Sequence, residues 1–429
     1  MTELSGFKQL GVIDVLCDTV KTLNWTEPTK IQKESIPNIL LGKDVIGLAE
    51  TGSGKTAAFC IPILQKLMEK SSRLFCLILT PTRELALQIA EQMNALGSII
   101  GVEVATIVGG MNMVQQAIAL SKKPHIVIGT PGRLVDHFRN TKGFNMKNVK
   151  FLVMDEADRI LGMDFEEEVT SIVQQLPHDR QTLLFSATMT NKVEKLQRAC
   201  LKDALRIDIC EKYQTVEKLS QNYCFIPSKF KDGYLICVLN QICDGKSVIV
   251  FCSTCNGTQR VSIMLKLLGY LSIPLNGQMS QEKRIASLNK FRHKSNGILV
   301  ATDVASRGLD IPHVDCVINY DVPTHSKDYI HRVGRTARAG RSGKAITLVT
   351  QYDVELYIKI ESSLGYKLPL YDVNEDSVLN LMESISEAQR QARMECREID
   401  RRKRKYKKTD NDESNLGLRY KFKRKRVQK

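Results

Sequence analysis

Short apolar runs alternate with longer mixed segments along most of the chain. The runs cover residues 44–48, 74–80, 104–108, 126–129, 151–154 and 182–185. They are too short for helices and nearly continuous, which is how a strand reads when both its faces are buried in a parallel sheet. The segments between them repeat their apolar residues at helical spacing. Near residues 208–219 the alternation gives way to a polar connector. It then resumes with runs at 247–252, 298–301, 316–319 and 345–349. The pattern predicts an α/β fold with two tandem parallel-sheet domains. Residues 1–43 read as helical and polar, with breaks at Pro28 and Pro37. From about residue 374 the chain becomes charged and helical, with Leu379, Leu381, Met382 and Ile385 as its apolar stripe. This last part reads as a solvated basic extension, partly disordered.

Unusual residue clusters follow the predicted strands directly. Pro81-Thr82-Arg83-Glu84, Thr130-Pro131-Gly132-Arg133, Asp155-Glu156-Ala157-Asp158 and Ser186-Ala187-Thr188 all stand there. Ligands of open parallel sheets bind outside the carboxyl ends of the strands, so this one-sidedness marks a site.

The first such cluster is Ala49-Glu50-Thr51-Gly52-Ser53-Gly54-Lys55-Thr56. Strand, glycine-rich turn and helix form the context of a phosphate-binding loop, although Ala49 stands where the strict pattern has Gly. Thr51, Gly52, Ser53 and Gly54 would cradle phosphates on backbone N–H groups at a helix N-terminus. Lys55 would reach the β/γ-phosphates and Thr56 would hold Mg²⁺. Asp155 also suits Mg²⁺, and Glu156 suits polarisation of the attacking water. No phosphate loop occurs in the second half. It offers His331-Arg332-Val333-Gly334-Arg335-Thr336-Ala337-Arg338, whose arginines at spacing three fall on roughly one side of a helix. They read either as a solvated face or as arginine fingers for a γ-phosphoryl group. Asp303, Arg307 and Asp310 follow the run at 298–301. Arg83, Thr130, Arg133, Arg284, Thr302 and Arg307, with close backbone approach at Gly109-Gly110 and Gly132, suit a nucleic-acid backbone held without base reading.

Charge refines this picture. The formal net charge is +15, but residues 401–429 contain 14 of the 62 Lys/Arg and 3 of the 47 Asp/Glu. The first 400 residues are therefore nearly balanced, which predicts a local groove and a basic tail. The twelve cysteines lack framework spacing and mostly sit in apolar runs, and Cys252-x-x-Cys255 reads as structural. Reduced thiols in an intracellular protein are expected, with no membrane span and no signal peptide.

Asp155-Glu156-Ala157-Asp158, together with the ordered motifs around it, resembles the DEAD-box ATP-dependent RNA helicases of superfamily two over roughly residues 5–365. The resemblance implies two RecA-like domains, residues 1–208 binding ATP and residues 220–370, joined by a linker at 209–219 and followed by a tail at 371–429. It implies that Gln32, in Trp25-Thr26-Glu27-Pro28-Thr29-Lys30-Ile31-Gln32, selects adenine while Phe7 stacks on it. Lys55, Thr56, Asp155 and Glu156 keep the roles above. Ser186 and Thr188, bonding near Asp158, and also His331 would couple hydrolysis to RNA. Asp310 would touch the ribose, Arg335 and Arg338 would be the fingers, and Arg83, Gly110, Thr130, Arg133, Arg284, Thr302 and Arg307 would grip RNA. Asn24, Asn276 and Ala337 depart from Gly, His and Gly of the usual pattern. Ala337, residues 347–353 and the basic tail are similar to nucleolar members that assist ribosomal-RNA processing.

The implied function is an RNA-stimulated ATPase that separates short duplexes or remodels RNA–protein particles, with ATP and Mg²⁺ as cofactors. Pre-ribosomal RNA is the expected partner, with pre-ribosomal proteins beside it, and the chain is expected to be a monomer in the nucleus and nucleolus. The alternative is an ATP-gated RNA clamp that serves as an assembly platform with little unwinding. The tail reads as a nuclear address, an RNA tether, or both.

Overall fold

The computed structural model describes residues 6–49, 52–162, 165–209, 219–242, 245–293, 297–303, 314–337 and 342–426, with side chains described as far as residue 401 except at 400. The chain divides into two compact units, one built on residues 1–217 and the other on most of residues 218–429.

The first unit carries strands β1 (Val45–Leu48), β2 (Cys76–Leu79), β3 (Val104–Ile107), β4 (Ile126–Gly129), β5 (Phe151–Met154), β6 (Gln181–Ser186) and β7 (Leu205–Asp208), in the order β3-β4-β2-β5-β6-β1-β7. Every pairing is parallel. The second unit carries β8 (Leu219–Phe225), β9 (Val248–Phe251), β10 (Ser272–Leu275), β11 (Ile298–Ala301), β12 (Cys316–Asn319) and β13 (Gly343–Val349), in the order β10-β11-β9-β12-β13-β8, again all parallel. The predicted fold class of two RecA-like parallel-sheet domains is what the chain forms.

Inner strands such as β1, β2 and β5 are buried at every residue, hence their continuous apolar runs. Alternate residues of each strand feed cores on opposite sheet faces. Val45 and Ile78 join Phe59, Ile61 and Leu64 on one face, while Ile46 and Leu77 join Leu134, Ile160 and Val169 on the other. Strands β7, β8 and β10 have no counterpart among the predicted runs. All three lie at sheet edges, where one flank faces away from the sheet and polar residues are tolerated. Arg206 and Asp208 on β7 are exposed, β8 contains Ser220, Gln221 and Asn222, and β10 carries Pro274.

Two other expectations change. Pro28 precedes helix Lys30–Leu40, but Pro37 lies inside it without ending it. Its ring deprives only the Lys33 carbonyl, at a solvent-exposed residue, and Leu41 N–H still bonds Pro37 O at 3.0 Å. The C-terminal extension does not begin as a solvated helix either. Helix Glu375–Arg426 packs on helices Lys231–Ile242 and Cys255–Leu267. Val378, Ile385, Ala388 and Ala392 are buried in the core of the second unit, whereas Leu379 is 54% exposed. The buried seam is offset from the predicted stripe because two of its members are alanines. Gly233 permits the close approach: a Cβ there would stand 2.8 Å from Val378 Cγ1.

Candidate nucleotide and RNA site

The predicted phosphate loop joins β1 to helix Lys55–Glu69. Ala49 N–H donates to Ser186 O at 3.1 Å, which ties the start of the loop to the end of β6. Gly52 and Gly54 adopt φ of 88° and 91°, a region that side chains disfavour. A Cβ on Gly54 would also run into Gln32 Nε2 and stand 3.0 Å from Thr29 Oγ1. Lys55 is buried at the helix start, its Nζ donating to Ala49 O at 2.6 Å. Thr56 is half-buried beside it, and Thr51 lies outside the described residues.

Gln32 is held at both ends of its amide. Its Oε1 accepts from Thr29 N–H at 3.0 Å and its Nε2 donates to Gly54 O at 3.0 Å. The residue expected to read adenine is thus bonded directly to the phosphate loop. Phe7 is buried in the same core as Leu16, Ile31 and Ile36.

Asp155 and Glu156 leave β5 buried, at 3% and 8% exposure. Burial pushes the Asp155 carboxyl up to about 7, opposed by the Lys55 ammonium and reinforced by Glu156. Glu156 has φ of +50°, rare for a residue with a side chain and common at functional sites. Its N–H donates to Asp155 Oδ1 at 2.9 Å, and Arg159 Nη1 stands 3.2 Å from its Oε2. Arg159 escaped notice in the sequence, where its spacing of three from Glu156 was the available signal.

A short network ties Asp158, two residues on, to the β6 end. Thr188 Oγ1 donates to Asp158 Oδ2 at 2.8 Å, Asp158 N–H to Ser186 Oγ at 3.3 Å, and Ser186 Oγ to Thr188 O at 2.9 Å. Asp158, Ser186 and Thr188 therefore share one cluster. Arg83 heads helix Arg83–Gly97 and lays its guanidinium against Gly109 and Gly110. Arg133 Nη1 donates to Met111 O at 2.9 Å, just beyond those glycines. Thr130 caps the backbone of helix Pro131–Asn140 one turn earlier, its side chain making no cap bond. The groups expected to hold a nucleic-acid backbone in this unit thus line consecutive strand ends.

In the second unit Arg332 and Arg335 do not share one helix face. Helix Ser326–Val333 ends at Gly334, so Arg335 sits in the following turn, and Arg338 lies outside the described residues. Arg332 is 1% exposed and anchored. Its Nε and Nη2 reach Asp303 Oδ1 and Oδ2 at 2.6 and 2.9 Å, and its Nη1 donates to Asp321 O at 2.7 Å. Arg335 is buried as well, with Nε donating to His331 O at 3.3 Å. Thr302 follows β11, its N–H donating to Leu275 O at 3.2 Å and its hydroxyl without a partner among the described residues. Arg284 stands on helix Gln281–Arg292. Arg307 and Asp310 fall outside the described residues. A further buried network, Asp232 with Arg260, Tyr320 and Gln389, had no sequence signal because its members are far apart in the chain.

Comparison with known proteins agrees with this geometry. Residues 29–196 match the family model described as DEAD/DEAH box helicase, and residues 231–340 match the helicase conserved C-terminal domain. The chain is 62% identical over 423 residues to "Probable ATP-dependent RNA helicase DDX47" of Bos taurus, covering 98% of this chain and 92% of the relative. It is 56% identical to "ATP-dependent rRNA helicase rrp3" of Schizosaccharomyces pombe, covering 94% of this chain and 86% of the relative. Among solved structures it resembles Mss116p bound to ssRNA and AMP-PNP, at a TM-score of 0.78 and 28% identity, over 88% of this chain and 81% of that one. It also resembles S. cerevisiae Dbp5 bound to RNA and ADP BeF3, at a TM-score of 0.77 and 26% identity, over 90% and 100%. The strand-end motifs, the two parallel sheets and these matches together place the chain in the DEAD-box family of ATP-dependent RNA helicases.

Proposed function

We propose that this chain couples ATP hydrolysis to local opening of RNA duplexes during ribosomal-RNA processing in the nucleus, with pre-ribosomal RNA as substrate and the nucleolus as its site of action. The supporting observation is the shared buried site at the ends of β1, β5 and β6. Asp155 feels the Lys55 ammonium, Glu156 is held at +50°, and Asp158 is bonded to Thr188.

The residues fit a magnesium nucleotide. The left-handed glycines leave the loop open to phosphate, and the Thr56 hydroxyl and Asp155 carboxylate are the hard oxygen donors that Mg²⁺ takes. When bound, Mg²⁺ would neutralise charge on the β- and γ-phosphate oxygens. Lys55 leaves Ala49 O for those oxygens. Glu156 accepts the proton of the attacking water as it adds to the γ-phosphorus, while the bond from that phosphorus to the β–γ bridging oxygen breaks and ADP leaves. Arg335 and Arg338 supply charge to the departing phosphoryl group, so the second unit completes a reaction whose nucleotide the first unit binds. Gln32 and Phe7 read the adenine, Asp310 the ribose, and His331 links the fingers to the RNA groups. Arg83, Gly110, Thr130, Arg133, Arg284, Thr302 and Arg307 hold the RNA backbone. Pre-ribosomal proteins are the expected neighbours of a monomeric enzyme.

The test is phosphate release and opening of a short duplex, measured with RNA and with DNA of one sequence. RNA-dependent turnover accompanied by multiple-turnover opening supports the reading. RNA-dependent turnover without opening would replace it by the clamp.

A further inference from the structure

Asp232 is a buried carboxylate that the proposed chemistry does not use. It opens helix Lys231–Ile242 at 5% exposure and accepts four hydrogen bonds. Arg260 gives two, at 2.7 and 3.2 Å, Tyr320 OH gives one at 2.7 Å, and Gln389 Nε2 gives one at 2.6 Å. A carboxylate has about four acceptor sites, and a buried one is costly unless they are filled. Gln389 comes from helix Glu375–Arg426, so the docked extension supplies one of the four donors.

The other end of the network reaches the arginine turn. Tyr320 OH also accepts from Arg260 Nη2 at 2.9 Å. The next residue, Asp321, takes Lys231 Nζ on Oδ1 at 2.8 Å and Ser253 N–H on Oδ2 at 2.8 Å. Its backbone oxygen accepts from Arg332 Nη1 at 2.7 Å. Arg332 O in turn accepts the N–H of Arg335 at 3.0 Å. Each link is short and all but the exposed Ser253 one are buried or half-buried, so a shift at Tyr320-Asp321 is passed on through a densely packed interior with little slack.

We propose that Gln389 is a positioning residue for ATP hydrolysis: by completing the shell of Asp232, the docked helix fixes Tyr320-Asp321, and through Arg332 it fixes the turn from which Arg335 projects. The inference rests on the assignment of Arg335 as a finger.

The experiment uses the full chain and measures ATP turnover at saturating single-stranded RNA, with thermal unfolding alongside. Gln389→Ala is expected to lower kcat about three- to ten-fold with KM for ATP unchanged, the scale of coupling carried by such networks. Tyr320→Phe, which leaves the Gln389 bond in place, is expected to do the same. The double variant should be no worse than either single one. Gln389→Lys, which restores a donor of similar reach, should recover the rate. A lowered Tm with unchanged kcat in Gln389→Ala overturns the proposal, as does an additive double variant. If Gln389→Ala fails to fold, Tyr320→Phe alone decides by its kcat. Arg335→Ala is run beside them. Wild-type turnover in that variant removes the finger assignment itself, a failure distinct from that of Gln389.

Discussion

At the scale of single residues, the site depends on backbone conformations that few side chains accept. Glu156 holds φ of +50° while buried against Arg159. Glu156→Gln keeps that shape and removes the base, so RNA-stimulated turnover should fall roughly 10²–10⁴-fold while RNA is still held in the presence of ATP. Normal turnover in that variant contradicts the water-activating role. Gly54→Ala should lower Tm and weaken ATP binding together, because its Cβ meets both a left-handed φ and the Gln32 amide. Equilibrium ATP titration with a fluorescent analogue checks this, and unaltered affinity would show that the loop tolerates the clash. Two departures from the family pattern fall at left-handed positions. Asn24 and Ala337 adopt φ of 58° and 54°, which Gly takes without strain and Asn tolerates, while Ala337 is strained there. The charged and glycine positions were legible in the sequence because few residue types can serve there. Arg159 and the buried anchor Arg332 were not distinguished from surface arginines, since burial of an ion depends on partners remote in the chain.

At the scale of elements, continuous apolar runs identified the inner strands and the edge strand β3, while the other three edge strands, β7, β8 and β10, escaped because only the interior of a parallel sheet must be apolar throughout. The C-terminal helix is the clearest case. Its seam of Val378, Ile385, Ala388 and Ala392 is small and surrounded by charge, so composition spoke for solvent while packing decided otherwise. Two truncations separate its halves. A chain ending at Glu398 keeps the seam and Gln389 and loses all 14 basic residues after position 400. Its Tm should match the full chain, while its KM for RNA rises at low salt and loses salt dependence. An unchanged KM would exclude tethering. A chain ending at Asn374 exposes the second core and should lose more than about 10 °C in Tm, by the usual scaling of buried apolar area. Retained stability there would mean the docking is weak. The docking should also be insensitive to neutral pH. Burial raises the Asp232 carboxyl, but hydrogen bonds from Arg260, Tyr320 and Gln389 outweigh it and hold the group below its ordinary 3.8. A depressed carboxylate stabilises above its unfolded value, and that contribution is lost only as pH falls below it.

At the scale of the whole molecule, two units of like architecture carry unlike residues at their strand ends. The first has the proposed phosphate loop and the Asp155-Glu156 carboxylates, and the second has the arginine turn and the docked helix. The tandem arrangement was legible because the same alternation of runs occurs twice. The tie from helix to arginine turn was not, since it joins residues 232, 260, 320 and 389. On the proposed mechanism, the nucleotide bound by the first unit is hydrolysed only with arginines of the second. Both cores of the first sheet lie within its own residues, so this unit can be studied separately. The most direct measurement is ATP turnover by residues 1–217, with and without RNA, beside the full chain. The rate of residues 1–217 is expected to lie at least about 10³-fold below that of the RNA-stimulated full chain and not to respond to RNA. Turnover at the full-chain rate by residues 1–217 alone would contradict it.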